Sequence, residues 1–470
     1  MNSSVQLARI NTEADRQRQA TANLDASDLS HDALANRFST ERLRGNGLYV
    51  APWNRWMLWT GARWEADDRL RHMTMVRAFL RDVAQAASDK DADNLRSDAM
   101  RAAVERMARS NEEIAASADQ WDADPWLVGT PGGTVDLRTG QLRPARRDDY
   151  ITKLTAVTPA DTADCPQWRA FLARIFRSQP DIVPFLQRAA GYALTGQTTE
   201  HKLLFAFGTG RNGKGVFFNT LDGIIGDYST VAASSTFLAS GADSHPTDLA
   251  SLAGARLVTA SELPPGKAWN EARIKSLTGG DPITARRMRQ DFFTFEPQFT
   301  LFIAGNHMPS FRGIDEATRA RVLMIPFAET IPADERDPDL SDKLRAEWPA
   351  ILRWAIDGAL EWQDAGLAPP PAVDAASEEY MDDEDELGQF VAECLHPDAE
   401  AFVLNRELYQ TFRQWSEDRG MRSPWTQRAL TQALIERGYA IKRRNSGRGL
   451  AGYRLMPYES APYAKATRGW

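Results

Sequence analysis

The chain has 470 residues, 43% of them hydrophobic, enough for two to four domains at about 100 to 200 residues each, and this excludes disorder as its main state. Its net charge of −8 argues against a nucleic-acid partner, but the charge is unevenly placed: residues 371–400 carry eleven Asp/Glu and no Lys/Arg, whereas residues 401–470 carry thirteen Lys/Arg against five Asp/Glu. One end therefore invites an anionic partner. Two distant cysteines, Cys165 and Cys394, exclude a disulfide framework and a CxxC zinc ribbon. No apolar run reaches the ~18 to 20 residues of a membrane span, and the start MNSSVQLARINTEADRQRQ lacks a signal-peptide core. The expectation is a cytoplasmic protein that does not engage a membrane.

Residues 1–44 read as a polar, loosely helical lead-in. From Leu48, LYVAPWNRWMLWTGARW alternates aromatic and polar residues around Thr60-Gly61, as a hairpin does. Helical periodicity follows over 68–89 and 95–117. WLVGTPGGTVDLRTGQLRPA predicts two short strands around Pro131-Gly132-Gly133 and a further turn at Thr139-Gly140. Asp122-Ala123-Asp124 superficially resembles a metal-binding acid pair but has no third ligand in view. Amphipathic helices near 165–178 and 181–195 complete a mostly α N-terminal region, 45–195. From His201, KLLFAF, RLVTAS, FTLFIAG and RVLMIPF alternate with helices, the order of an α/β sheet, and a long helix near 348–364 ends a domain spanning 196–366. Ala368-Pro369-Pro370-Pro371 and the acids that follow read as a linker, 367–386. Residues 387–470 form a separate unit.

Gly208-Thr209-Gly210-Arg211-Asn212-Gly213-Lys214 follows the strand KLLFAF and precedes a helix, the setting of a Walker A phosphate loop. Glycines let backbone N–H groups turn toward phosphates, Lys214 neutralises them and the helix N-terminus adds its dipole. The alternative is a glycine-rich connector in an ordinary α/β sheet. Gly215 stands where Ser or Thr would offer a hydroxyl to Mg²⁺. Glu262, at the tip of RLVTAS, is suited to polarise the attacking water and to hold the metal through water, while Ser261 sits where many such strands carry an acid. Asn306 after FTLFIAG suits a γ-phosphate sensor, or a plain turn. Arg319 and Arg321 offer a guanidinium to a neighbouring subunit's site; either is equally suited to a surface ion pair.

These residues carry a resemblance. LLFAFGTGRNGKGVFFNTLDGIIGDY, RLVTASEL, IKSLTGGDPITARRMRQDFF, FTLFIAGNHMP and DEATRARVLMIPF resemble the superfamily III helicase domain of phage and plasmid primase-helicases, and GTVDLRTGQLRPARRDDYITK with FLQRAAGYALTGQTTEHKLLF resembles that family's poxvirus-type N-terminal region. The likeness covers roughly residues 45 to 365. It implies an AAA+-like P-loop ATPase with ATP and Mg²⁺ as cofactors, assembled as a homo-oligomeric ring, commonly a hexamer, that moves three-prime to five-prime along single-stranded DNA in a bacterial host cell. By motif position Lys214 is the Walker A lysine, Glu262 the Walker B glutamate, Asn306 sensor 1 and Arg321 the arginine finger. The family's arginine pair is broken here by Ala320, with Arg319 one residue away. Gly215 occurs among relatives of this type.

Arg286, Arg287 and Arg289 with Phe292, Phe293 and Phe295 predict a β-hairpin that grips DNA phosphates, unless the rings are core and the arginines balance local acids. The last 80 residues run helix, helix from an N-cap at Ser423, then a basic two-stranded wing, the winged-helix order. Arg428, Lys442, Arg443, Arg444 and Arg448 line its recognition helix and wing; a protein-docking role is the alternative. Since only about 45 residues precede the resemblance, helicase without primase is expected, with a separate primase and replication proteins as partners and forked DNA as substrate. The competing readings are an ATP-dependent DNA remodeller without processive unwinding and, more distantly, a P-loop small-molecule phosphotransferase, which would have no use for a basic winged helix.

Overall fold

The structure is a computed structural model that describes residues 26–239, 246–289, 291–311, 314–419 and 425–456. It divides into two compact units, the first ending at Pro159 and the second beginning at Ala160.

The first unit starts with α1 (His31–Phe38), capped by Ser30, whose hydroxyl accepts from the Ala33 N–H. Its Leu34 and Phe38 are fully buried, so this part of the polar lead-in belongs to a core. Strands β1 (Gly47–Val50), β2 (Arg55–Trp59) and β3 (Trp64–Ala66) form an antiparallel meander. Then come α2 (Arg71–Ala84), α3 (Asp89–Leu95) and α4 (Asp98–Ala108), and β4 (Ala115–Ala116), which pairs parallel to β1. Val76, Phe79, Leu80 and Val83 recur at helical spacing and pack with Trp56, Met100 and Val104. A second antiparallel sheet holds β5 (Leu127–Thr130), β6 (Gly133–Asp136) and β7 (Gln141–Arg143). Gly133 (φ +148°) permits its tight turn, since a Cβ there would collide with the Arg143 carbonyl. The expectation of a mostly α region is corrected: two sheets of aromatic and β-branched strands make this unit mixed. Asp122 accepts from Thr152 and Asp124 pairs with Arg138, so neither forms a metal pair.

In the second unit α5 (Pro166–Ile175) and α6 (Ile182–Thr195) precede β8 (Leu203–Phe207) and α7 (Lys214–Ile225). Next follow β9 (Ser229–Val231), β10 (Leu257–Ala260), α8 (Glu271–Gly279), the hairpin β11 (Ile283–Arg286) and β12 (Phe292–Phe295), and β13 (Thr300–Gly305). α9 (Glu316–Arg319), β14 (Val322–Pro326) and α10 (Leu340–Ala365) complete the series. The sheet order is β14-β8-β13-β10-β9 and every pairing is parallel. A parallel sheet covered on both faces needs continuous apolar strands, and all residues of β10, β13 and β14 are buried. α6 crosses α10 at Gly191 and Gly358, where a Cβ on either would strike the other helix's backbone.

The stretch expected as a linker is a docked helix. α11 (Pro371–Asp383) opens with proline at its first turn. Its Val373, Ser377, Tyr380 and Met381 are buried, and the Ser377 hydroxyl accepts from Met324 N–H at the edge of the sheet. Spacings of four, three and one make an apolar stripe beneath the acids, and the helix covers edge strand β14.

α12 (Glu386–Cys394), β15 (Leu395–Leu404), α13 (Asn405–Asp418), α14 (Gln427–Glu436), β16 (Ile441–Arg444) and β17 (Gly447–Leu455) form the end of the unit around Phe390, Phe412, Trp415 and Leu434. β15 adds a third strand to the expected wing, in the order β15-β17-β16. Ser423 lies outside the described residues; the cap of α14 is Thr426, whose hydroxyl accepts from Ala429 N–H at 3.2 Å. Among the described residues no helix is long and apolar enough to cross a membrane.

Candidate functional site

Strand register brings the predicted residues to one edge. Ala260 lies opposite Ile303, and Gly305 opposite Phe207, so Glu262, Asn306 and the loop at Gly208 all leave the carboxyl ends of neighbouring parallel strands. Open parallel sheets bind ligands at that edge. A cleft of about 480 Å³ opens there, lined among others by Lys214, Gly215, Glu262 and Asn306.

The glycine loop is built as its pattern requires. Gly208, Gly210 and Gly213 adopt φ of +155°, +95° and +85°. A Cβ on Gly208 would collide with the Asn212 amide and the Phe327 carbonyl, and one on Gly213 would come within 2.7 Å of Ile175 in α5. Asn212 is buried and donates to Phe327 O at 2.9 Å, tying the loop to the end of β14. Thr209, Gly210 and the left-handed Arg211 (φ 53°) form the outer arc. Lys214 is 7% exposed; its ammonium donates to Gly208 O at 2.8 Å and Asn212 Oδ1 at 3.3 Å. Burial lowers its pKa to about 8. Behind it Phe217 stacks on Trp168, and Trp168 meets Trp354 edge to face.

Glu262 is exposed and held at φ 59°, a left-handed backbone uncommon for a side chain of this size and frequent at functional sites. Asn306 is exposed beside it. Two residues that sequence reasoning passed over also line the cleft: Asn219 and Asp222 of α7. Asp222 accepts from Ser229 Oγ at 2.5 Å and Thr259 Oγ1 at 3.0 Å, and burial raises its pKa. Their spacing from Gly215, four and seven residues, was the available signal.

Arg319 and Arg321 do not line this cleft. Arg319 pairs with Asp382 at 2.8 Å and Asp385 at 3.2 Å. Arg321 Nη1 donates to Ala317 O, while its buried Nε has no acceptor among the described residues. Asp385 also takes a bidentate pair from Arg437, the residue that ends α14, and caps α12 through Gly388 N–H.

The expected hairpin forms, with Arg286 opposite Phe292. Ile283 and Ala285 face the core, whereas Met288 and Phe292 are 76% and 59% exposed. Arg286 lies over the Phe292 ring and Arg287 over Phe293; Arg289 turns the tip at φ 59°. Phe295 packs against the core and Phe293 is half-buried, so of the three rings Phe292 is the exposed one. In the C-terminal sheet Arg443 lies directly opposite Arg448, and Lys442 opposite Gly449. Like charges opposite one another destabilise a pair unless an anion intervenes. Arg444 stacks on Phe402, and Arg428 and Arg448 line one groove with Gln427 and Gln432.

Residues 35–177 match the family described as "D5 N terminal like", and residues 206–321 match a family of unknown function. The resemblance to primase-helicases drawn from the motifs is borne out. Relatives include "Putative helicase 022R" of frog virus 3 (isolate Goorha), 28% identical over 270 residues, 53% of this chain and 27% of that protein. Another is "Putative helicase L207/L206" of Acanthamoeba polyphaga mimivirus, 26% identical over 321 residues, 63% of this chain and 33% of that protein. The chain spans about a quarter to a third of the length of these relatives. Among solved structures, the apo A form of the NrS-1 C-terminal region is 9% identical and covers 89% of this chain and 98% of its own, with a TM-score of 0.47.

Proposed function

We propose that the chain is a P-loop ATPase of superfamily III type that drives a DNA helicase in the replication of a viral or mobile genome, working as a homo-oligomeric ring on single-stranded and forked DNA. The observation that carries this reading is the meeting of Lys214, Glu262 and Asn306 in one cleft at the carboxyl edge of a parallel sheet. Backbone N–H groups of the loop and the Lys214 ammonium hold the phosphates of ATP. Glu262 accepts a hydrogen bond from the attacking water and orients it in line; Asn306 fixes that water against the γ-phosphate by donating from its amide. Arg321, remote from its own cleft, serves the site of the next subunit. Bound Mg²⁺ would neutralise phosphate charge, and the hard oxygens of Glu262, Asn219 and Asp222 suit it, with open space at Gly215.

The hairpin's arginines grip the DNA backbone while Phe292 offers a face to bases. The C-terminal unit acts as a winged helix on duplex DNA, with Arg443 and Arg448 neutralised by phosphates. A strand-displacement assay on a forked duplex with ATP, run beside a mass measurement of the assembly, tests the reading. The expected result is ATP-dependent unwinding by an oligomer, lost in Lys214→Ala. DNA-stimulated hydrolysis without displacement would favour a remodeller, and hydrolysis indifferent to DNA would refute a role on nucleic acid.

A further inference from the structure

The cleft lacks two groups that its pattern ordinarily supplies for a divalent cation: a hydroxyl at position 215 and an acid at position 261, where Gly215 and Ser261 stand. Helix α7 carries two oxygen donors on the same face. Gly215, Asn219 and Asp222 follow at i, i+4 and i+7, which puts the three positions within roughly 60° of one another around the helix. All three line the cleft together with Glu262. A Cβ on Gly215 would meet nothing within 4 Å, so space stands open above Asn219 where the missing side chain would have been. Asn219 is exposed, and its side chain ends in a neutral hard oxygen. Asp222 lies deeper. The donors on its two oxygens are the hydroxyls of Ser229 (2.5 Å) and Thr259 (3.0 and 3.2 Å). Among the described residues no Lys or Arg forms a salt bridge with it. A half-buried carboxylate facing a cleft, held by hydroxyls and by no cationic side chain among the described residues, is well placed to receive a cation.

Resting on the ATPase reading above, we propose that Asn219 and Asp222 are metal-positioning residues that hold the water shell of nucleotide-bound Mg²⁺ in place of the hydroxyl and acid absent at Gly215 and Ser261. Mg²⁺ usually keeps several of its waters and is bound through few protein oxygens, so donors set back from the phosphates suit it. Thr259, on β10, donates to Asp222 and fixes the carboxylate's orientation.

The test is a titration of Mg²⁺ against a fluorescent ADP analogue, read as binding and independent of turnover, for wild type, Asn219→Ala, Asp222→Asn, Gly215→Ser and each of the first two combined with Gly215→Ser. Loss of a supporting oxygen typically costs about 10- to 100-fold in metal affinity. Asn219→Ala and Asp222→Asn should therefore raise the Mg²⁺ concentration for half-maximal binding by about tenfold or more, with affinity in EDTA unchanged. Gly215→Ser should recover much of that loss. Unchanged midpoints in both single variants, beside Mg²⁺-dependent binding by wild type, would overturn the proposal. So would loss of binding in EDTA as well, which would make Asp222 a structural tie between α7 and the sheet. Should Asp222→Asn fail to fold, the surface variant Asn219→Ala decides alone. Failure of the wild type to bind nucleotide under any condition would instead remove the ATPase reading itself.

Discussion

Nucleotide binding should be coupled to proton uptake through Lys214. The side chain is nearly buried and faces a carbonyl and an amide oxygen, and among the described residues no acid forms a salt bridge with it. Burial takes its pKa from 10.5 to about 8, and at about 1.4 kcal/mol per unit, holding the charge in the empty loop costs roughly 3 kcal/mol. The folded value lies below the unfolded one, so between pH 8 and 10.5 the unfolded chain binds more protons and the empty protein gains stability as pH rises. Phosphates reverse this by pairing with the ammonium and keeping it charged in the complex. At pH 8.5 the empty loop is about one-quarter protonated, so binding takes up about three-quarters of a proton. Affinity should fall by about tenfold per unit as pH rises beyond 8. Calorimetry with ADP at pH 8.5, in buffers of different ionisation enthalpy, measures this directly. Identical heats in all buffers, or proton uptake that persists in Lys214→Ala, would refute the argument.

Glu262→Gln should keep nucleotide binding and lower phosphate release by about 10²- to 10⁴-fold; turnover above a tenth of wild type would place the catalytic carboxylate elsewhere. Arg321→Ala mixed with Lys214→Ala should recover turnover that neither shows alone, and failure despite demonstrated subunit exchange would argue against a shared site. Arg319→Ala, by contrast, should cost about 1 kcal/mol in thermal stability, because it breaks partly exposed pairs to Asp382 and Asp385. Replacing Arg286, Arg287 and Arg289 should reduce DNA-stimulated turnover and leave basal turnover, measured with and without single-stranded DNA. Truncation after Glu386 should preserve basal turnover and flatten the salt dependence of duplex binding. Truncation after Gly366 should instead unfold the ATPase region, since it strips Val373, Tyr380 and Met381 from the core at about 1.5 to 3 kcal/mol for each large side chain.

The strands of the central sheet were legible because each is an unbroken apolar run, and the glycine loop because it stands between a strand and a helix. The hairpin at Arg286 was legible from its alternation of Thr, Arg and Phe. What stayed hidden depends on pairings distant in sequence. Asp222 acquires meaning only when Thr259 and Ser229 close around it, and Asn219 only when β10 and β13 set Glu262 and Asn306 opposite. Helix α11 was misread because three prolines and a run of acids suggest a solvated spacer; its apolar stripe from Val373 to Met381 is short, and its target is the edge of a strand fifty residues earlier. β15, with His396, Pro397 and alternating acids, carries little strand propensity of its own and forms because β17 offers it an edge. The first unit looked helical because its strands are only two to five residues long.

The sharing of Asp385 has a mechanical consequence. One carboxylate holds Arg437, at the end of the helix whose other end carries Arg428, and also Arg319, two positions before Arg321. No slack chain separates them: α11 is packed against the sheet, and Asp385 also caps the helix that follows. If the C-terminal end binds DNA as proposed, a pull on it would reach the chain beside Arg321 through this carboxylate and through the Arg437 bond to the Ile314 carbonyl, as a stiff lever would carry it, instead of being lost in a hinge. The two arginines then form a thermodynamic cycle: their paired replacement should depart from additivity, and any bias DNA imposes on nucleotide affinity must return as an equal bias of nucleotide on DNA affinity.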